Sequence, residues 1–272
     1  MKYKLIASDL DGTLLASNSE ISAENELAIK ELTNRGVICA LATGRTLCEL
    51  TDKLRQNENI RYVIYSNGAA IHDKLTGERI VDFTIRDGDR TRLIDVFEKH
   101  DAHYTLRHNG ICYTERKKQT KEAFEKYKLD PNHSLVTVRY SHNIDGLLEF
   151  ARTLDHIEVM SAYFATEEKR NSCAAELEKS GLHFAYVKPY GLEVFSKDAG
   201  KGAGLKALCE HLGISKKECI GVGDSGNDIT LVETAGLGLA TANAAPQLIS
   251  VADETICTND GHIMKHILEN YI

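Results

Sequence analysis

The sequence predicts an α/β fold, a doubly wound parallel sheet into which a smaller α+β domain is inserted. The first observation is a set of short apolar runs separated by amphipathic stretches, an alternation typical of parallel sheets with crossover helices. These runs are residues 4–8, 37–42, 62–65 and 219–222. The second observation is a change of pattern between about residues 80 and 190, where the strands are less uniformly apolar. We therefore expect a core domain of residues 1–83 and 191–272 and an inserted domain of residues 84–190.

Local signals predict the other elements of the core. Ser22 is expected to cap a helix that runs to about residue 35, where Gly36 ends it. A second helix is expected after Arg45 through residue 54, and Lys201 opens another that runs to residue 211. The remaining core elements are a helix that begins at Asp228, short strands at residues 236–240 and 254–257, and a C-terminal helix at residues 261–271.

The inserted domain contains a strong hairpin signal. Residues 103–107 and 111–115 flank Asn109-Gly110, a dipeptide that favours a two-residue hairpin turn. Helices are predicted at residues 89–100, 119–127, 144–154 and 167–180. Strands are predicted at residues 135–139, 158–163 and 183–187.

Charge and cysteine content exclude several classes of protein. The formal net charge is -7 and no basic stripe dominates, which argues against nucleic acid as the main partner. Seven scattered cysteines without a Cys-x-x-Cys pair predict reduced thiols and a cytoplasmic location. We expect no signal peptide, because Asp9 comes too soon. We expect no membrane span, because the longest uncharged run, residues 234–252, is too polar.

The strongest chemical signal is the stretch SDLDGT at residues 8–13. The spacing of two residues allows Asp9 and Asp11 to point to the same side of a strand. Neighbouring carboxylates repel each other, so we expect a cation to neutralise one of them. A proton on the other would allow it to act in acid–base catalysis. An acidic turn without function would explain this stretch alone, so the other loops decide between the two interpretations.

Two more polar loops follow buried strands. One begins at Thr43 and the other at Asp224. The carboxyl ends of parallel strands lie along one edge of a sheet, and open α/β sheets bind their ligands at that edge. We therefore expect residues 9–13, 43–45 and 224–228 to meet there.

Each loop supplies one part of a phosphoryl-transfer site. Asp9 is a candidate nucleophile and metal ligand, and Asp11 is a candidate general acid and base. Thr43 and Gly44 offer a hydroxyl and N–H groups beside a helix N-terminus, which suits an anion. Lys201 offers a point charge for phosphoryl oxygens and for Asp9.

The loop at residues 224–228 completes the set with oxygen ligands. Asp224 adds a carboxylate, and Asn227 and Asp228 complete or orient the cation shell. An all-oxygen shell favours Mg²⁺. The sequence thus predicts a magnesium ion facing a phosphate ester.

Taken in order, these motifs resemble the four motifs of haloacid dehalogenase (HAD) superfamily phosphatases. They are DLDGT at residues 9–13, TGR at 43–45, KG at 201–202 and GDSGND at 223–228. The insertion between the second and third motifs resembles the type 2B cap of the Cof-like subfamily. The segments NGA at residues 67–69 and TNDG at 258–261 fit the same subfamily. The resemblance implies a Rossmann-like core and a cap that excludes water and selects the leaving group.

The resemblance also implies a role for each matching residue. Asp9 would attack phosphorus and form an aspartyl-phosphate, while Asp11 would protonate the leaving alcohol and then activate water. Mg²⁺ would be bound by the carboxylates of Asp9 and Asp224 and by the backbone carbonyl of Asp11. Asp228 would contact these ligands without binding the ion itself. The residues expected to bind the phosphate are Leu10, Thr43, Gly44, Lys201 and Asn227.

We therefore expect a phosphatase that hydrolyses small phosphomonoesters such as sugar phosphates, without nucleic-acid or membrane partners and as a monomer or weak homodimer. A phosphomutase of the same superfamily and a non-catalytic sugar-phosphate sensor remain alternatives. The spacing of His262 and His266 suits a metal, but a surface helix face explains it better. Seven cap residues are candidates to contact substrate, and each fits ordinary packing equally well: His103, Tyr104, Arg107, His108, Tyr113, Arg139 and Tyr190.

Overall fold

The computed structural model describes residues 2–129, 139–187 and 189–272. The chain forms two compact units. Unit 1 comprises Met1–Gly44, Asp52–Asp82 and Ala199–Ile272, and unit 2 comprises Arg45–Thr51 and Phe83–Asp198. Of the strand predicted at residues 135–139, all but the last residue lie outside the described residues.

The strands are numbered along the chain. They are β1 Leu5–Ser8, β2 Ile38–Ala42, β3 Ile60–Tyr65, β4 Ala70–Asp73, β5 Arg79–Asp82, β6 Ile85–Arg86, β7 His103–His108, β8 Ile111–Glu115, β9 His142–Ile144, β10 His156–Ile157, β11 Val159–Tyr163, β12 Phe184–Val187, β13 Gly191–Phe195, β14 Cys219–Gly223, β15 Leu237–Ala240 and β16 Glu254–Thr255.

The α-helices are numbered in the same way. They are α1 Ala23–Asn34, α2 Asp52–Gln56, α3 Asp87–Phe97, α4 Lys121–Lys126, α5 Leu147–Thr153, α6 Glu167–Lys179, α7 Lys201–Leu212, α8 Ile229–Thr234, α9 Pro246–Ile249 and α10 Ile263–Tyr271. None of the helices in the described ranges is long and apolar enough to cross a membrane.

Unit 1 is built on an eight-stranded sheet. Its strand order is β16-β15-β14-β1-β2-β3-β4-β5. The first six strands in this order run parallel, whereas β4 and β5 add to the edge in the antiparallel sense. The buried pattern of β1, β2 and β14 fits central parallel strands covered on both faces. The predicted α/β fold is confirmed, and the antiparallel edge is an addition that the sequence pattern did not indicate.

The first core helix forms where the sequence predicts it. The hydroxyl of Ser22 accepts a hydrogen bond from the N–H of Asn25, which satisfies a free donor at the start of α1. Ala28, Ile29 and Leu32 form the buried side of the helix. The N-cap therefore sets where the helix begins, and the apolar spacing sets which side is buried.

The helix predicted after Arg45 through residue 54 is broken in two. A short 3₁₀ turn at Leu47–Glu49 is closed by a capping box between Thr46 and Glu49. The backbone of Leu50 is then extended (φ -73°, ψ 139°) and its side chain is 1% exposed, and α2 begins only at Asp52. Burial of Leu50 therefore outweighs the helical propensity of the segment.

Unit 2 is built on a six-stranded sheet. Its strand order is β12-β13-β11-β7-β8-β9, and β6 and β10 form a separate antiparallel pair. Strand β13 pairs with β11 and β12, so Gly191–Phe195 lies in unit 2 rather than beyond the predicted boundary at residue 190. The boundary depends on which strands β13 pairs with. The alternation of apolar and polar residues along the sequence does not indicate strand pairing.

The β7–β8 hairpin forms as predicted. Asn109 and Gly110 both adopt positive φ angles, 50° and 73°. A turn in which both central residues have φ > 0 matches the twist of the two strands that it joins. The hairpin register, with His108 opposite Ile111, follows from this two-residue turn.

One face of the unit 2 sheet packs into an apolar core. Alternate residues of β7, β11 and β13 face this core: Tyr104, Leu106, Met160, Ala162, Leu192 and Val194. The hydroxyl of Tyr104 donates to the carbonyls of Phe97 and His100, so this cap candidate is held within the packing of unit 2. The intervening residues Thr105, Ser161 and Arg107 are also buried, although they are polar.

Candidate active site

Three neighbouring strands deliver the predicted site residues to one edge of the unit 1 sheet. Ser8, the last residue of β1, lies opposite Val222 of β14 and Leu41 of β2. Because these strands are parallel, the residues that follow them lie at the same end of the sheet. Asp9, Thr43 and Asp224 therefore emerge side by side, as the sequence predicts.

Lys201 is buried between two carboxylates. It is the first residue of α7, and its Nζ atom lies 2.6 Å from Oδ1 of Asp9 and 2.5 Å from Oδ1 of Asp228. The side chain of Lys201 is 1% exposed, and those of Asp9 and Asp228 are 6% and 0% exposed. Such short charge-assisted hydrogen bonds fix the ammonium group in place.

Asp228 also organises the loop that follows β14. Its Oδ2 atom accepts hydrogen bonds from the N–H groups of Asp224 (3.1 Å) and Ser225 (3.0 Å). Both carboxylate oxygens of Asp228 therefore have partners within unit 1. The side chain holds Lys201 on one side and the Asp224 backbone on the other.

Asp9, Asp224 and Asp228 form a compact acidic group. One carboxylate oxygen from each lies within 4.8 Å of the other two. If all three carboxylates are ionised, they carry three negative charges against the one positive charge of Lys201, which leaves two negative charges. A divalent cation would balance them, and carboxylate oxygens are ligands that hard divalent cations accept. The residues present therefore fit a divalent metal.

Burial, and to a smaller extent the neighbouring charges, shift the pKa values of this group. Burial raises the pKa of Asp9, the ammonium group of Lys201 opposes this rise, and Asp228 and Asp224 add to it. Burial and the neighbouring Asp228 likewise raise the pKa of Asp224. Burial lowers the pKa of Lys201, but the two carboxylates outweigh this effect, so the pKa is raised and the side chain stays charged.

The loop after β1 turns tightly beside Asp224. Gly12 has a φ of 80°, and a Cβ atom at this position would lie 2.6 Å from Oδ2 of Asp224. The hydroxyl of Thr13 donates to Oδ1 of Asp224 at 3.3 Å. Only glycine permits both the backbone conformation and this close approach.

Asp11 and Leu10 follow Asp9 in the chain, but neither side chain belongs to the acidic group. The side chain of Asp11 is exposed and is not part of the acidic group. Leu10 is fully buried. The structure thus brings Asp9, Asp224, Asp228 and Lys201 together but leaves the carboxylate of Asp11 facing solvent.

The second loop is tied to the turn after β3. The N–H of Asn67 donates to the carbonyl of Thr43 at 3.1 Å, and Asn227 donates through Nδ2 to Oδ1 of Asn67 at 3.0 Å. A Cβ atom on Gly44 would lie 3.0 Å from the same Oδ1 atom. Asn67 therefore links the loops that carry Thr43 and Asn227.

Asn67 was not among the predicted site residues. In the sequence, the segment at residues 67–69 indicates only a resemblance to the Cof-like subfamily. In the structure Ser66, Asn67 and Gly68 all have positive φ angles, 51°, 54° and 84°. Three successive left-handed residues are rare outside functional turns, and no local pattern in the sequence predicts them.

The segment TNDG near the C-terminus supports the first loop from outside. Asn259 donates through Nδ2 to the carbonyl of Leu15, and its N–H donates to Oδ1 of Asn243. Asn243 in turn donates to the carbonyl of Gly12 at 2.8 Å. Asp260 accepts from both the N–H and the hydroxyl of Ser17. These residues position the loop that carries Asp9.

The pair His262 and His266 has a structural setting. His262 precedes α10 with a φ of 61°, and its Nδ1 atom lies 3.0 Å from the hydroxyl of Ser22. This contact connects the start of α10 with the start of α1. Neither histidine belongs to the two groups of potential metal ligands found among the described residues.

Comparison with known proteins identifies the class to which this site belongs. The family model of haloacid dehalogenase-like hydrolases matches residues 6–267. Phosphatase YwpJ of Bacillus subtilis is 29% identical over 97% of this chain and 100% of its own length. The B. subtilis 5-amino-6-(5-phospho-D-ribitylamino)uracil phosphatase YwtE is 27% identical over 99% of this chain and 98% of its own length. A solved structure of a B. subtilis haloacid dehalogenase-like hydrolase has a TM-score of 0.80 and 28% identity, covering 99% of this chain and all of the other.

The chain therefore belongs to the haloacid dehalogenase-like hydrolase family, and within it to the phosphatases, which are phosphoric monoester hydrolases. The resemblance to Cof-like HAD-superfamily phosphatases drawn from the motifs is confirmed.

Proposed function

We propose that this protein is a divalent-metal-dependent phosphatase that hydrolyses small phosphomonoesters, sugar phosphates or related metabolites, through an aspartyl-phosphate on Asp9. The observation that carries the proposal is the buried ammonium of Lys201, held 2.6 Å from Asp9 beside the acidic group. A fixed positive charge next to a carboxylate is what in-line attack on a dianionic phosphate requires.

We propose Mg²⁺ as the metal, held by the carboxylates of Asp9 and Asp224 and the backbone carbonyl of Asp11. When bound there, the ion supplies charge that offsets the repulsion between phosphate and carboxylates. Lys201 orients Asp9, and Asp228 orients Lys201 and the Asp224 backbone.

The proposed phosphate-binding groups are the backbone of Leu10 and Gly44 and the side chains of Thr43, Lys201 and Asn227. Asp11 acts as the general acid that protonates the leaving alcohol and then as the base that activates water. Its exposed position within unit 1 supports this role, because a general acid must be accessible to the substrate.

The proposed substrate class is supported by a relative. YwtE is named for a phosphate ester of a ribityl chain. A sugar or sugar-alcohol phosphate is therefore the first class to test.

The test is phosphate release from a panel of phosphomonoesters with Mg²⁺, comparing wild type with Asp9→Asn. The exposed Asp52→Asn variant is the control, because Asp52 lies in unit 1 far from the acidic group in sequence and its side chain is 76% exposed. We expect a loss of about 10³-fold or more in Asp9→Asn, because the nucleophile is removed, and no loss in the control. Transfer of phosphate between hydroxyls without release would indicate a mutase. Undiminished phosphate release by Asp9→Asn would show that Asp9 is not the nucleophile.

Metal binding has a separate readout. We expect Mg²⁺ to raise the Tm of the wild type and to leave the Tm of Asp224→Asn nearly unchanged, because a ligand that binds only the folded state stabilises it. An equal Mg²⁺ effect on both proteins would remove Asp224 from the proposed metal site.

A further inference from the structure

A second group of potential metal ligands lies in unit 2. One ring nitrogen of His108, one ring nitrogen of His156 and a carboxylate oxygen of Asp155 lie within 4.8 Å of one another. We propose that these three residues bind a transition-metal ion of the Zn²⁺ class. The site would be separate from the acidic group of unit 1 and independent of the proposed phosphatase function.

His108 is already oriented as a metal ligand would be. Its Nδ1 atom lies 3.1 Å from the carbonyl oxygen of His156. A carbonyl only accepts, so Nδ1 carries the proton and Nε2 holds the lone pair. Donation of one ring N–H to a backbone carbonyl is the usual way in which proteins fix the tautomer of a metal-binding histidine.

Asn109 currently satisfies that lone pair. Its Nδ2 atom lies 2.9 Å from Nε2 of His108 and donates to it. Asn109 is exposed at the tip of the hairpin turn, and an arriving ion would replace its Nδ2 atom as the partner of Nε2.

The other two ligands combine a rigid group with a mobile one. His156 lies in β10, which pairs with β6, and its side chain is 6% exposed. Asp155 is 74% exposed, and its Oδ1 atom lies 2.8 Å from Nδ1 of His156. The rings of His108 and His156 are 4.4 Å apart between centroids. A solvent-facing carboxylate beside two oriented imidazoles gives an ion a route of entry.

The spacing fits a tetrahedral ion after small side-chain rotations. Bonds of 2.0–2.1 Å place the ligand atoms of a tetrahedral site about 3.4 Å apart. The three ligand atoms already lie within 4.8 Å of one another, and the 74% exposed side chain of Asp155 has room to adjust. Water would fill the fourth position.

The chemistry of the ligands selects the ion. Two imidazoles and one carboxylate favour Zn²⁺ or a neighbouring transition metal, whereas Mg²⁺ prefers an all-oxygen shell. The two groups of this protein therefore bind different ions. An ion at His108 would join the end of β7 and the hairpin turn to β10, reinforcing the hydrogen bond from the Glu158 N–H to the Arg107 carbonyl.

The experiment uses the full-length protein in excess Mg²⁺, so that the acidic group of unit 1 is filled. Co²⁺ is titrated while visible absorption is recorded, because tetrahedral Co²⁺ absorbs strongly and octahedral Co²⁺ weakly, and Zn²⁺ is then added. The variants are His108→Asn and Asp155→Asn. The control is His142→Asn, which changes an exposed histidine of the same unit outside the group.

We expect the wild type and His142→Asn to develop the tetrahedral Co²⁺ spectrum with one equivalent, and Zn²⁺ to abolish it. Asp155→Asn should bind about tenfold more weakly or worse, and His108→Asn should lose the spectrum. Absence of the tetrahedral spectrum in the wild type would overturn the proposal. So would an unchanged spectrum and affinity in His108→Asn or in Asp155→Asn, since the latter side chain is too exposed for its substitution to disturb folding.

Discussion

Lys201 shows how a single buried charge can serve both stability and activity. Its ammonium lies between Asp9 and Asp228, and all three side chains are at most 6% exposed. Removing one member of a buried ion pair leaves an uncompensated charge in a region of low polarity, which is far more costly than losing a surface pair. The same ammonium is the fixed positive charge that the proposed chemistry needs.

We therefore predict that Lys201→Met lowers the free energy of unfolding by roughly 3–5 kcal/mol at pH 7, because Asp9 and Asp228 lose their shared counter-charge. Phosphatase activity should fall by about 10²-fold or more. Urea unfolding and phosphate release measure the two effects. The control is Lys206→Met on the same helix, whose side chain is 61% exposed and which should change neither quantity. Equal effects in the two variants would contradict the special role of Lys201.

At the scale of elements, the turn after β3 and the start of α7 are fitted closely together. Gly68 has a φ of 84°, and a Cβ atom there would lie 2.1 Å from the carbonyl oxygen of Gly200. On the other side of the helix start, a Cβ atom on Gly202 would lie 2.2 Å from the carbonyl oxygen of Thr230. The absence of side chains at these positions lets Lys201 enter the site.

We predict that Gly68→Ala both destabilises the protein and lowers its activity, because the methyl group must push the start of α7 away. Gly77→Ala is a matched control, since Gly77 has a φ of 76° but no atom within 4 Å of the added Cβ. It should cost only the backbone strain, about 1 kcal/mol, and leave activity unchanged. Chemical denaturation and phosphate release compare the two. A cost for Gly68→Ala no greater than that of Gly77→Ala would show that the contact is relieved without displacing α7.

The hairpin of β3 and β4 contains a pH-dependent contact. The guanidinium of Arg61 donates to both oxygens of Asp73, at 3.0 and 2.6 Å, and the N–H of Leu75 donates to Asp73 as well. The Arg61 hydrogen bonds, with help from the backbone, lower the pKa of Asp73 to about 2. A carboxyl with a depressed pKa in the folded state stabilises the fold above its unfolded pKa and loses this effect as the pH falls.

We accordingly predict that the stabilisation from Asp73 is complete above about pH 5 and disappears as the pH falls from about 4 towards 2. Asp73→Asn should be less stable than wild type by roughly 1 kcal/mol at pH 7, since solvent screens the half-exposed Arg61. The difference should vanish near pH 2. Urea unfolding at several pH values measures the difference in the free energy of unfolding between wild type and Asp73→Asn. If this difference grew as the pH fell, the prediction would be wrong.

At the scale of the whole molecule, the two units have separate apolar cores, and their boundaries do not follow the order of the chain. Arg45–Thr51 belongs to unit 2 although it lies between two segments of unit 1. Buried polar contacts hold it there: Thr46 donates to Glu158, and Arg107 lies 3.4 Å from Glu49. Burial opposes the charge of Arg107, but Glu49 and Glu193 outweigh it and raise its pKa well above the usual value.

We predict that Arg107→Met destabilises unit 2 by roughly 3–5 kcal/mol, because the carboxylate of Glu49 stays buried without the guanidinium. Arg152→Met is the control. Arg152 contacts Asp95 and Glu98 in the same unit, but its side chain is 37% exposed, so its loss should have little effect. Urea unfolding monitored by circular dichroism compares the variants. Similar midpoints for the two would show that the Arg107 pair contributes no more than a surface pair.

Much of the core and of the site could be predicted from the sequence because the signals are local. Apolar runs, the Ser22 cap and the Asn109-Gly110 turn each depend on a few adjacent residues, and each formed as expected. The gathering of Asp9, Thr43 and Asp224 also follows from a local fact, since parallel strands must end at one edge of the sheet. The functional roles assigned to these residues remain predictions.

Only the tertiary structure decided the features that depend on contacts between distant residues. The break at Leu50, the assignment of β13 to unit 2, the role of Asn67 as a link and the meeting of His108 with His156 all depend on residues far apart in the chain. Contacts of this kind are set by packing and by the satisfaction of buried polar groups, which no short window of sequence contains. The sequence by itself determined the type of each strong element and the chemistry at the strand ends, because propensity and spacing are properties of neighbouring residues. The structure decided which distant residues share a site, because that depends on how the whole chain is packed.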